Sequence, residues 1–163
     1  MANMDKLIAL VNSFASAVLS VSHDLGIKVT LNKAKVSPGV KVPEICTAAL
    51  IGVVGAGSQG TITIMLDDDA FNNIILTMSG GMIQPKLGED VSMSVIGELS
   101  NMIGGRALVR SALGTVDVTP PQLVLGEQIN DLKKETPGMK SFTLPFVLQP
   151  SGGLYLVLSF KID

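Results

Sequence analysis

Apolar residues near the start of the chain recur every three or four positions, the period of a helix with one buried face. The members of this series are Met4, Leu7, Ile8, Val11, Phe14, Ala15, Val18, Val21 and Leu25. The pattern predicts an amphipathic helix over residues 4–25 that ends at Gly26. Because one face is polar, we expect a core helix rather than a signal peptide, and no run long enough to span a membrane.

Strand-like patterns follow on both sides of a glycine-rich stretch. Residues 27–32 and 61–66 alternate with period two, and the continuous apolar run 46–54 is typical of a buried strand. Gly55, Gly57 and Gly60 have the spacing of a dinucleotide-binding turn, which must lead from a strand into a helix. Here the next residues are β-branched and continue as a strand. We therefore predict a hairpin loop over residues 56–59 and no cofactor cradle there.

Two more helices are predicted in the middle of the chain. Asp67 is a candidate N-cap for a helix that ends at Gly80-Gly81, because its carboxylate can accept a hydrogen bond from the first turn. Glu89 and Asp90 begin a longer helix that reaches about Leu113.

The last third of the chain is predicted to be mostly extended. Short strands are expected at residues 116–118 and 123–125, and a hairpin at 139–148 and 154–162. Pro145 lacks an N–H, so its strand is expected to lie at an edge or to carry a bulge. Together these elements predict one domain over residues 1–163. Its fold class is α+β, with three helices and about six strands in a mostly antiparallel sheet.

The amino-acid composition argues against several kinds of partner and active site. The net charge of −2 and the absence of Trp argue against nucleic-acid or membrane partners. His23 is the only histidine, which argues against a histidine triad or a multi-histidine metal site, and we interpret it as a polar residue near a helix end. Cys46, the only cysteine, is interpreted as a small core residue in a protein of the cytoplasm.

The third helix carries two polar side chains at a spacing that brings them together. Its apolar arc, predicted to be core, consists of Val91, Val95, Ile96, Leu99, Met102, Ile103 and Val109. Glu98 and Asn101 are three residues apart and therefore project side by side. Ser94 and Gly105 fall on the same stripe of the helix.

Three glycines beside this stripe are unusual for a helix interior. Gly97, Gly104 and Gly105 each cost about 1 kcal/mol relative to Ala. They could allow another element of the protein to pack closely, or they could clear space for a partner that approaches Glu98 and Asn101. The spacing alone leaves both explanations open.

The segment 97–105, GELSNMIGG, resembles the E-x-x-N signature helix of the CheC/CheX/FliY family of CheY-phosphate phosphatases. Residues 119–126, TPPQLVLG, are similar to the T-P-P-x-x-V-x-G segment that follows this helix in the family. LIGVVGAGSQGTITI also resembles a hairpin of the family. CheC-like members carry two motif copies, whereas Ala9 stands where the first helix would need a glutamate. The single copy indicates the CheX-like branch.

The resemblance implies a phosphatase that acts on the aspartyl phosphate of a CheY-type response regulator. It implies that Asn101 orients the attacking water and that Glu98 pairs with the regulator's active-site lysine. The chain would need no cofactor of its own, because Mg²⁺ would be bound in the regulator's site, and it would form a homodimer. The residues expected to contact the partner are Ser94, Gly97, Gly104 and Gly105.

Two non-catalytic alternatives remain at this point. The chain could be an adaptor that binds a phosphorylated regulator, or a dimeric scaffold in a signalling complex. An intact Glu98 and Asn101 argue against the adaptor, since loss of Asn101 would be the simplest route to it.

Overall fold

The structure is a computed structural model that describes residues 2–55, 58–110 and 116–161. The helices are α1 Ala2–Asp24, α2 Asp68–Met78, α3 Asp90–Arg110 and the short α4 Gln128–Leu132, with a 3₁₀ turn at Lys33–Lys35. The strands are β1 Val29–Leu31, β2 Ser37–Pro38, β3 Thr47–Gly55, β4 Ser58–Leu66, β5 Val116–Val118, β6 Gln122–Leu125, β7 Met139–Leu148 and β8 Gly153–Lys161.

All described strands belong to one sheet in which every pairing is antiparallel. The order is β1-β7-β8-β4-β3-β5, with β2 beside β1 on β7 and β6 beside β5 on β3. The prediction of an α+β fold with a mostly antiparallel sheet is therefore confirmed. The long β7–β8 and β3–β4 hairpins form its centre.

The main core lies between the sheet and the three long helices. It joins α1 side chains such as Phe14 to Ile74 of α2, Leu99 of α3 and Ile62 of β4, all of them buried. A smaller cluster on the opposite face of the sheet includes Ile129 of α4. The three long helices therefore occupy one layer and α4 lies on the other face of the sheet. Within that layer α3 packs mainly on α1, and it also contacts α2, β3 and β6.

The glycine-rich stretch is a hairpin connection, as predicted. β3 and β4 pair continuously up to Gly55 and Ser58, so Ser58 and Gln59, which were predicted to be loop, belong to β4. Residues 56–57 lie outside the described residues. Gly60 is part of β4, where an added Cβ would overlap the Ser159 carbonyl oxygen and lie 2.5 Å from the Phe160 ring. Close approach to β8 explains this glycine without a cofactor.

The N-terminal helix is present over nearly the predicted span. Leu10, Phe14, Val18 and Val21 are buried, and they carry its apolar face into the main core. The expectation that no segment is long enough to cross a membrane is wrong, because residues 7–24 are long and apolar enough by length and composition. Nearly half of this segment is buried within the protein itself, which is what a core helix requires.

The predicted helix boundaries agree with the structure where they can be compared. The Asp67 carboxylate accepts a hydrogen bond from the Ala70 N–H at 2.9 Å, which confirms the N-cap of α2. α3 is described up to Arg110, so the predicted end near Leu113 lies outside the described residues. α4 was not predicted, because a single turn carries too little periodicity to be recognised.

The prediction that Pro145 marks an edge strand or a bulge is wrong. β7 pairs with β8 without interruption and lies inside the sheet. On its other side, however, Pro145 falls between the short partners β1 and β2, and its carbonyl accepts a bond from the Asn32 N–H at 2.9 Å. The missing donor is tolerated because the neighbouring strand is interrupted there.

Replacing Gly60 with Ala is expected to destabilise the protein by about 1–3 kcal/mol, because the methyl group would overlap the β8 backbone. The matched control is Gly105→Ala on α3, where nothing lies within 4 Å of an added Cβ. That change should stabilise the helix by up to about 1 kcal/mol. Urea unfolding followed by circular dichroism measures both, and equal midpoints for Gly60→Ala and wild type would contradict the packing argument.

Candidate functional site

One face of α3 is fixed by burial. Ile96, Leu99, Ile103 and Ala107 are at most 1% exposed and belong to the main core. The Ser100 hydroxyl, also buried, donates to the Ile96 carbonyl at 2.8 Å and so needs no partner outside the helix. The opposite face of the helix is therefore directed away from the sheet.

The polar pair lies on that outward face. Glu98 and Asn101 are exposed, as are Ser94 and Gly105. At about 100° per residue these four positions fall within an arc of about 60°. The four residues that the sequence analysis placed on one stripe of the helix therefore lie together on a solvent-exposed surface.

The remaining two glycines face the protein rather than the open stripe. An added Cβ at Gly104, which is buried, would lie 3.6 Å from Ile51 of β3, and one at Gly97 would lie 3.9 Å from Leu123 of β6. Both distances are ordinary contacts. Alanine would therefore fit at both positions, so these contacts do not require glycine, and Gly105 has open space.

The assignment of Val91 to the core arc is wrong. Its side chain is 57% exposed, whereas Ile96 and Ile103 on the same helix are buried. The reason is angular, since Val91 lies about 120° round the helix from the centre of the buried residues. It falls instead on the stripe that carries Ser94 and Glu98. The interval of seven residues between Val91 and Glu98 is the sequence signal that could have indicated this.

The C-terminal half of α3 is tied to α1 by a charged pair. The Arg106 guanidinium donates to the Asp24 carboxylate at 2.6 Å and lies 3.4 Å from the Ser20 hydroxyl. The pair is partly exposed, so its contribution to stability is modest. Its geometry nevertheless restrains the helix about one turn beyond Asn101.

Segment 119–126 supports α3 rather than joining the exposed stripe. The Gly52 N–H donates to the Thr119 hydroxyl at 2.8 Å, and the Thr119 N–H donates to the Gly52 carbonyl at 2.9 Å. These bonds hold the chain on β3 between β5 and β6, where Leu123 reaches Gly97. This segment therefore packs beside α3 at the edge of the sheet.

Other candidate chemical groups lie elsewhere. His23 is exposed in the last turn of α1, as expected for a residue near a helix end. No group of three or more His, Cys, Asp or Glu able to hold a metal occurs among the described residues. A cavity of about 660 Å³ lined by Lys35, Lys41 and Tyr155 contains none of the predicted site residues.

Cys46 is half-buried directly before β3, next to the first turn of α2. Burial, followed by a hydrogen bond to Asp68, raises the pKa of its thiol to about 12. A thiol with so high a pKa is a poor nucleophile near neutral pH. Its interpretation as a packing residue rather than a catalytic one agrees with this environment.

The family model described as chemotaxis phosphatase CheX matches residues 47–146, which include β3, β4, α2 and α3. The chain therefore belongs to the chemotaxis phosphatase CheX family. It is accordingly a phosphatase, that is, a hydrolase.

Known relatives agree with this assignment. The chain is 32% identical over 123 residues to the CheY-P phosphatase CheX of Thermotoga maritima, a match that covers 74% of this chain and 77% of the relative. Its fold is similar to the crystal structure of CheX from Vibrio vulnificus, with a TM-score of 0.71, 24% identity and coverage of 93% and 99% of the two chains.

A further structural neighbour was crystallised with a partner. It is the CheX-CheY-BeF₃-Mg²⁺ complex from Borrelia burgdorferi, with a TM-score of 0.71 and 18% identity. The match covers 93% of this chain and 97% of that one. At this identity the likeness concerns the fold.

Alkylation of Cys46 by iodoacetamide should keep accelerating with pH between 8 and 10, about tenfold per unit, because its pKa near 12 keeps the thiolate scarce. In the urea-unfolded chain the alkylation rate should level off as the pH passes the ordinary thiol pKa of 9.0. Asp68→Asn should speed the reaction of the folded protein, since the Asp68 carboxylate raises the pKa. A folded-state plateau near pH 9 would contradict the assigned environment.

Proposed function

We propose that this protein hydrolyses the aspartyl phosphate of a CheY-type response regulator and that Asn101 orients the attacking water. The observation that carries the proposal is the exposed pair Glu98 and Asn101 on α3 in a member of the CheX family. An amide can accept a hydrogen bond from water while donating another. It is too weakly basic to remove a proton, so its role is positioning.

Glu98 is proposed to pair with the active-site lysine of the regulator. It lies one helical turn before Asn101 on the same face and is open to solvent. An acid in this position would attract the lysine, fix the register of α3 on the regulator and place the Asn101 amide near the phosphorus. Phosphoryl transfer depends mainly on such positioning and on neutralisation of charge.

The partner contact is proposed to extend along the stripe. Ser94 and Gly105 are exposed, one before and one after the polar pair in the chain, and the small hydroxymethyl group of Ser94 and the missing side chain of Gly105 would let the regulator approach the helix. Gly97 and Gly104 were expected to take part as well. Because both face the protein rather than the open stripe, their proposed role is indirect and lies in the packing of α3 on the sheet.

We infer that the divalent cation belongs to the regulator. The Mg²⁺ in the Borrelia burgdorferi complex accompanies a CheX and a CheY with BeF₃. The partner would then supply both the electrophile and the cation, which suits a helix face offering one carboxylate and one amide. The expected homodimer stays a prediction.

Asn101→Ala is expected to lower the rate of phosphate release from a phosphorylated CheY-type regulator by about a hundredfold or more, while binding persists. The matched control is Asn72→Ala, another exposed asparagine, on α2 and outside the stripe. Release of inorganic phosphate measures the rate, and titration with the BeF₃-Mg²⁺ form of the regulator measures binding. Undiminished hydrolysis by Asn101→Ala would contradict the proposed role of Asn101. If the wild-type protein does not hydrolyse the phosphorylated regulator, the adaptor alternative is favoured instead.

Glu98→Lys should weaken binding of the phosphorylated regulator by about tenfold or more, because two cations would then face each other. Glu98→Gln removes the charge without reversing it, so its affinity should lie between those of Glu98→Lys and the wild-type protein. Increasing salt should narrow the difference between the three proteins. Equal affinities for all three would remove the proposed ion pair.

A further inference from the structure

An apolar groove opens beside the polar pair. It has a volume of about 430 Å³ and lies between the end of α2, the loop that follows it and the first half of α3. Its lining residues are Met78, Ser79, Ile83, Val91, Ser94, Val95 and Glu98. Ser94 and Glu98 thus belong both to this groove and to the proposed phosphatase face.

Large apolar side chains are exposed at this groove and on the loop that contributes Ile83 to its lining. Val91, which lines the groove, is 57% exposed, and Met82 and Leu87 on the loop are 89% and 46% exposed. Exposed apolar residues that gather in one place mark interaction sites more often than single ones do.

The loop that presents Met82 is held from both helices. The Ile83 N–H donates to the Ser79 hydroxyl at 3.1 Å, and the Lys86 N–H donates to the buried Ser92 hydroxyl at 3.0 Å. The Gly81 N–H also donates to the Leu76 carbonyl at 2.8 Å. A loop ordered in this way would lose little conformational entropy when a partner covers it.

The groove is continuous with the proposed catalytic stripe. Val91, Ser94, Glu98 and Asn101 fall within an arc of about 80° on α3, and Val91 precedes Asn101 by about 15 Å along the axis. A regulator domain is wider than this distance. A regulator whose lysine meets Glu98 would therefore also cover the groove.

The charge distribution limits what the groove can accept. Glu98 is the one ionisable side chain among the described lining residues, and it stands at the end of the groove nearest Asn101. On the loop, Lys86 and Glu89 are 3.5 Å apart and neutralise each other. The matching surface is apolar, with a cation at one end.

We propose that this groove receives an apolar side chain of the phosphorylated response regulator, on the surface beside its active-site lysine, and that Met82 and Val91 are specificity-determining contacts. The inference rests on the proposed function. Under this proposal the groove contributes to the affinity for the regulator, and Asn101 contributes to the chemical step. Loss of groove contacts should then raise KM without changing kcat.

The test compares Val91→Asp with Val54→Asp, since Val54 on β3 is equally exposed at 55% and lines no part of the groove. With a phosphorylated CheY-type regulator as substrate, Val91→Asp should raise KM by about tenfold or more and leave kcat within about twofold. Val54→Asp should behave as wild type. Met82→Ala truncates a side chain that is 89% exposed and lies outside the core, and it should raise KM by about fivefold.

Affinity for the BeF₃-Mg²⁺ form of the regulator separates this inference from the proposed function. If wild type binds that form without hydrolysing the phosphorylated one, the proposed function fails, and the groove is judged by the affinities of Val91→Asp and Val54→Asp. If wild type hydrolyses and both aspartate variants keep its KM, the groove inference alone is overturned. A change in molecular mass by light scattering for Val91→Asp, with KM unchanged, would assign the groove to a second copy and also overturn it.

Discussion

The packing of α3 against the sheet is the constraint on which the rest of this site depends. Ile96, Leu99 and Ile103 are buried on one side, so the side chains on the other side must face solvent. Gly104 is buried beside Ile51 of β3, and Arg106 ties the helix to α1. The orientation of Glu98 and Asn101 therefore follows from apolar contacts made elsewhere on the helix.

Most of the architecture could be predicted because its patterns are long. The α1 periodicity, the β-branched run after Gly60 and the Asp67 cap each specify one local structure, and the structure contains all three. Pro145 was misjudged because sequence shows only that a donor is missing. It does not show that the neighbouring strand would be interrupted at that point.

The site was predictable in part for the same reason. Once the segment is a helix, an interval of three residues places Glu98 beside Asn101, and no other part of the fold is needed for this. Burial, in contrast, is decided by neighbours, and Val91 is apolar yet lies beyond the edge of the packed face. Met82 belongs to a loop without periodicity, so its exposure could emerge only from the hydrogen bonds that shape the loop.

The glycines of α3 make this helix unstable as a separate peptide. Three glycines in one helix cost about 3 kcal/mol of intrinsic helix propensity, and a lone peptide has no sheet or α1 to compensate. A synthetic peptide of this sequence would therefore be mostly unstructured and would not hold the acid and the amide at one helical turn. The side-by-side arrangement of Glu98 and Asn101 is therefore a property of the whole domain, and it is lost when the domain unfolds.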